Sequence, residues 1–272
     1  MLSPDDPAGR TVLLAVLAGL VALLVYRAVR KGRNEFQRFK RFERTRNRQR
    51  MMRKWLLDSL TVFGGAAAII LLLARQSVPL LQQEVDGWPI GLWWRALLAD
   101  TGDLVPGLAT ALGVVLVGGT IVAVALARGS ESVPTIGDIG ALLPRNRSEL
   151  VLGALLSVNA GVVEELLFRL AVPALIFGAT GSALAAVLGG VLLFGSLHFY
   201  QGWPGIVGAT VIGALLMVLY LASGTIVVAI VVHTLIDLRS LVLIPMLVFR
   251  VQQVRAENGA PITLPPTQLL RL

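Results

Sequence analysis

Apolar runs long enough to cross a bilayer recur along this chain, and that recurrence limits what it can fold into. Seven are readable, at about 11–26, 55–74, 104–127, 150–172, 182–199, 205–222 and 226–249. In hydrocarbon every backbone polar group must be satisfied within the protein, so such spans are helices or strands of closed barrels. Runs of this length and continuity are helices, since a membrane strand needs only about 10 residues. The expected fold is therefore all-α, a polytopic transmembrane helical bundle of about seven spans. Composition agrees: 56% of residues are hydrophobic and 15% charged, against roughly 25% charged in soluble domains. A soluble globular enzyme and an intrinsically disordered chain are both excluded. With no cysteine there is no disulfide, no thiol nucleophile and no Cys-based zinc site.

The formal net charge of +8 is local. Of 24 Lys and Arg, 13 fall within residues 27–54, beside only Glu35 and Glu43. A basic block next to an apolar span reads as cytoplasmic by the positive-inside rule. Phe36, Phe39 and Phe42 interleave with the cations near one helical face. That pattern fits an interfacial helix on anionic lipid, with a solvated helical linker as the alternative. No other feature supports nucleic-acid binding. The first span carries Asp5 and Asp6 upstream and no A-x-A pattern downstream, so it reads as an uncleaved anchor. Seven spans put the N-terminus outside and the C-terminus in the cytoplasm. The stretch 90–98 is expected to be re-entrant or interfacial, with Trp88, Trp93 and Trp94 at headgroup depth.

Polar residues are concentrated in the second half. Between positions 150 and 249 the charged residues and histidines are Glu164, Glu165, Arg169, His198, His233, Asp237 and Arg239, and the chain has no other histidine. Ionisable groups inside a membrane are costly and usually mark function. Glu165 and Arg169 stand at i and i+4 in the favourable order for an ion pair. Glu164 lies about 140° around the helix from Arg169 and is free to point elsewhere. His198 shares a face with Phe194, and His233 with Asp237. A carboxylate and an imidazole on one water can remove its proton near neutral pH. A second imidazole with a polar partner can stabilise a tetrahedral oxyanion. Such a set would hydrolyse an amide bond without a covalent nucleophile.

The ordered motifs Glu164-Glu165-x-x-x-Arg169, Phe194-x-x-x-His198 and His233-x-x-x-Asp237 resemble the CPBP family. These are the CAAX prenyl proteases and bacteriocin-processing or immunity proteins, also called intramembrane glutamic endopeptidases. The resemblance covers about 135–249. It implies an intramembrane endopeptidase acting on a membrane-associated protein or peptide. Glu164 would be the general base, aided by His198, with His233 and Asp237 at the oxyanion and Glu165–Arg169 as a structural ion pair. The best-described members have Asn where this chain has Asp237. An ionised Asp cannot donate a hydrogen bond, so Asp237 is either neutral or orients His233. The implied organisation is an N-terminal transmembrane region at 1–130, a catalytic core at 131–250 and a cytoplasmic tail at 251–272.

No cofactor is expected. Zinc held by Glu164, His198 and His233 is a minority reading, since two His and one Glu form a known catalytic set but no H-E-x-x-H pairing exists. A rhomboid-type serine protease is disfavoured because Leu221-Ala222-Ser223-Gly224 lacks the G-x-S-G glycine. An aspartyl intramembrane protease would need a G-x-G-D motif. A proton-coupled transporter would show internal repeats. The competitor that stays open is a non-catalytic immunity or scaffold protein that binds a peptide through the same polar cluster. The glycines of the fifth and sixth spans read chiefly as close packing between membrane helices; room for substrate backbone at Gly195 and Ser196, just before His198, is the minority reading.

Overall fold

The computed structural model describes residues 6–89, 91–92, 96, 117–122, 125 and 140–255. All its regular structure is helical. Helix α1 runs over Pro7–Lys40, α2 over Thr45–Leu73, α3 over Ser77–Asp86, α4 over Arg147–Thr180, α5 over Ala183–Ser196, α6 over Gly202–Ser223 and α7 over Ile226–Phe249. Among the described residues, five helical stretches are long and apolar enough to cross a membrane: α1, α2, α4, the run Ala183–Ser223 and α7. The expected span at 104–127 lies largely outside the described residues, as does most of the stretch 90–98.

The 41-residue run Ala183–Ser223 holds two of the expected spans. A tight 3₁₀ turn at Leu197–Gln201 leads to Gly202, whose φ of 78° is open to glycine at little cost. Beyond it the chain doubles back. Gly195 meets Thr210 and Gly190 meets Met217, so α5 and α6 are antiparallel.

Helices α4 and α7 also pack antiparallel, with Gly161 level with Thr234 and Gly153 level with Leu241. A Cβ at Gly161 would run into the Thr234 hydroxyl and come within 3.0 Å of the Thr234 nitrogen. Glycine is what lets these backbones approach, as small residues do between membrane helices. The approach places the Glu164–Glu165 turn of α4 beside His233 of α7.

One core joins the two halves of the chain. Leu13, Leu20 and Leu24 of α1 and Ala67 and Ile70 of α2 pack with Leu167, Phe168 and Leu175 of α4. The outer faces are apolar as well: Leu72 is 73% exposed and Val211 64%. Water would penalise such a surface, whereas lipid tails match it. The protein is a multi-pass membrane protein.

The basic segment forms the end of α1, a turn, and the start of α2. Here the structure corrects one expectation. Phe36 and Phe39 do not face lipid; they are 1% and 0% exposed. Phe39 packs on Trp55 with ring centroids 4.8 Å apart and on Arg48 at 4.2 Å. The aromatic face is buried against the protein, and Arg38, Arg41, Arg44, Arg46, Arg50 and Arg53 point outward.

The hairpin is fastened to the start of α4 by a fully buried ion pair. Arg48 Nε donates to both carboxylate oxygens of Glu149, at 3.2 and 3.1 Å. Its two terminal nitrogens donate to the carbonyls of Ala141 and Leu143, each at 3.1 Å. Asn146 caps α4 by accepting from the Glu149 amide at 3.0 Å, and its Nδ2 donates to Thr45 Oγ1 at 2.9 Å. A buried guanidinium with each nitrogen satisfied is the arrangement in which burial of charge is tolerated.

Candidate active site

A cavity of about 640 Å³ runs between α4, α7, the α5–α6 turn and the N-terminal hairpin. Glu164, His198, His233 and Asp237 all border it. The four residues expected at the chemistry come from three separate stretches of sequence and meet at one space. Glu165 and Arg169 sit behind the wall, 0% and 2% exposed.

Helix α4 widens to π geometry over Leu166–Ala171, immediately after the two glutamates. Such a bulge shifts the register of successive side chains and is frequent at functional sites. Glu165 Oε1 takes Arg169 Nη1 at 3.0 Å, the expected i, i+4 pair. Arg169 Nη2 also donates to the carbonyl of Gly213 at 3.3 Å, and its guanidinium lies 4.3 Å from the centre of the Phe194 ring. The same Glu165 oxygen receives His233 Nδ1 at 2.6 Å. One carboxylate thus joins Arg169 to the imidazole of another helix.

That bond assigns the roles of the two His233 nitrogens. A carboxylate paired with Arg169 accepts, so Nδ1 carries a proton and Nε2 is the atom turned to the cavity side. Asp237 Oδ2 lies 3.9 Å from Nε2, beyond hydrogen-bond range. Asp237 thus makes no hydrogen bond to His233, whose Nδ1 is held by Glu165.

His198 is set differently. Its Nδ1 lies 2.9 Å from the carbonyl of Phe194, a full turn earlier. A carbonyl can only accept, so Nδ1 is the donor and a neutral ring offers the Nε2 lone pair. Glu164 has no hydrogen-bond partner among the described residues and borders the cavity with His198. Glu164 and Asp237 are thus the two carboxylates of the cluster available to a water or a substrate, and Glu164 is the one on α4.

Three features were not expected. Tyr200 lies beside His198 with ring centroids 6.1 Å apart and planes at 26°. Asn159, earlier on α4, also borders the cavity. At the hairpin end the cavity meets an ionic network: Asp58 accepts from Lys31 at 2.7 Å and Lys54 at 2.8 Å, and Glu35 takes Lys54 at 2.7 Å and the Trp55 indole at 2.9 Å. Within this network Lys54 and Asp58 are an i, i+4 pair that the sequence could have shown, whereas no spacing rule links the hairpin ions to Asn159 or Tyr200. Gly195 falls to the packing reading. A Cβ there would collide with Thr210, so the glycine serves α5–α6 packing rather than substrate room. Among the described residues, no three His, Asp or Glu side chains form a group able to hold a metal ion.

Residues 146–239 match a family model described as Rce1-like, type II CAAX prenyl endopeptidase Rce1-like. The match covers about a third of the chain and contains Glu164, Glu165, Arg169, His198, His233 and Asp237. No curated protein and no solved structure matches the chain. The segment that carries the polar cluster is thus the one that is similar to the type II CAAX prenyl endopeptidases.

Proposed function

We propose that the chain is an intramembrane glutamic endopeptidase that hydrolyses a peptide bond of a membrane-associated protein or peptide. The observation that carries the reading is that Glu164, unpartnered among the described residues, borders the same cavity as His198, His233 and Asp237. A water between Glu164 and the His198 Nε2 lone pair loses its proton to one of them as it attacks the scissile carbonyl. The tetrahedral oxyanion is met from the α7 side by His233 and Asp237. To donate there, His233 must carry a proton on Nε2 as well as Nδ1, and Asp237 must be protonated. Glu165 and Arg169 hold the His233 ring and stay out of the reaction. The proton then passes to the leaving amine, and both products leave through the cavity.

In this reading no metal takes part. The bilayer is the environment, the exposed arginines of residues 27–54 meet anionic headgroups on the cytoplasmic side, and the C-terminus lies on that side too. The second reading, a peptide-binding immunity or scaffold protein, is favoured by the same cavity if no bond is cut. A panel of membrane peptides incubated with the purified protein in liposomes, with and without a zinc chelator, separates the readings. Chelator-insensitive cleavage supports the protease. Chelator-sensitive cleavage supports zinc, and stoichiometric peptide binding with no cleavage supports the scaffold.

A further inference from the structure

We infer that Phe36, on the N-terminal hairpin and outside the family-matched segment, is a positioning residue for His198. The His198 imidazole is held at Nδ1 by the Phe194 carbonyl, and two aromatic rings flank it. Phe194 lies at 4.8 Å and Tyr200 at 6.1 Å between centroids. A single hydrogen bond leaves a ring free to swing about it, so neighbouring rings decide where Nε2 aims. Among the described residues Tyr200 has one further ring neighbour, Phe36, which meets it edge-on at 5.2 Å and 64°. The Tyr200 hydroxyl accepts from Gln201 Nε2 at 2.8 Å, which ties it only to its own turn. Phe36 is thus the aromatic contact by which the N-terminal hairpin reaches the Tyr200 ring.

Phe36 is itself enclosed by the protein. It is 1% exposed and sits on a hairpin held to α4 by Arg48–Glu149 and Thr45–Asn146. The chain of contact runs from that buried ion pair through the hairpin to Phe36, Tyr200 and His198. The N-terminal hairpin thereby supplies the outer support of the site.

The functional weight of this inference rests on the reading of His198 as a water-activating group, but its test needs no substrate. The chain has only two histidines, so the full-length protein labelled with ¹⁵N-histidine in micelles gives two imidazole signals, assigned with His198→Gln. In Phe36→Ala the His198 resonances and tautomer balance shift while those of His233 stay. Leu13→Ala is the control: it empties an equally buried position towards the other end of the same helix, away from Tyr200 and from the Arg48–Glu149 clamp, and it moves neither histidine. Phe36→Leu keeps most of the buried volume and gives the same His198-only shift if the alanine variant does not fold. An unmoved His198, or a change common to both histidines or to both positions, overturns the inference. With a cleavable peptide, Phe36→Leu lowers kcat by about tenfold or more with little change in KM, as a small misplacement does. Lack of cleavage by the wild type would sink the protease reading and leave the resonance result standing.

Discussion

His233 and Glu165 lie 68 residues apart in sequence and share a 2.6 Å hydrogen bond in the buried part of the bundle. The same carboxylate oxygen holds Arg169 at 3.0 Å. The pair therefore does two things: it neutralises the guanidinium and it sets the tautomer of the imidazole. Glu165→Gln removes the charge while keeping the shape. Breaking one partner of a buried pair typically costs about 3–5 kcal/mol, so this variant should unfold at markedly lower temperature in detergent. An unchanged melting temperature would contradict the arrangement.

The Arg48–Glu149 pair makes a parallel prediction with its own control. Arg48→Met leaves Glu149 buried without its cation and should destabilise by about 3–5 kcal/mol. Arg48→Met with Glu149→Leu removes both charges and should recover most of that loss. A double variant as unstable as the single one, measured by denaturant unfolding, would mean that the hydrogen bonds to Ala141 and Leu143 matter more than the charge pair.

Gly161 controls how closely α4 and α7 approach. Gly161→Val should push Thr234 away and cost about 1–3 kcal/mol of overpacking. Because Glu164 and His233 sit on these two helices, activity should fall further than stability. Thermal unfolding and peptide cleavage on one preparation compare the two, and equal losses would argue that the helix spacing has no special bearing on the site.

Asp237 stands 3.9 Å from His233 Nε2, with no hydrogen bond between them. If it donates to the oxyanion, Asp237→Asn keeps the donor and should retain kcat within about tenfold, while Asp237→Ala should lose about 10²–10³. Equal losses for the two would indicate that a carboxyl group is specifically required.

Much of this was legible from residue pattern. The long apolar runs predict helices, and the described ones form. The i, i+4 spacing of Glu165 and Arg169 predicts their pair, and the ordered glutamates, histidines and Asp237 predict a shared site because charge inside a membrane needs a reason. The Glu165–His233 bond was not legible, since helical spacing says nothing about which face of α4 meets α7. Phe36 and Phe39 misled for a related reason. An aromatic face at helical period looks the same whether protein or lipid covers it, and only the Arg48–Glu149 clamp reveals that protein does. Tyr200 belongs to a 3₁₀ turn and carries no periodic signal.

The central claim is that Glu164 activates the attacking water. The most direct measurement is cleavage of a membrane peptide by the wild type and by Glu164→Ala, reconstituted side by side in liposomes. The account predicts cleavage by the wild type and a loss of about 10²–10⁴ in kcat for the variant, the usual range for a general base, with the peptide still bound. Cleavage at the wild-type rate by Glu164→Ala would contradict it.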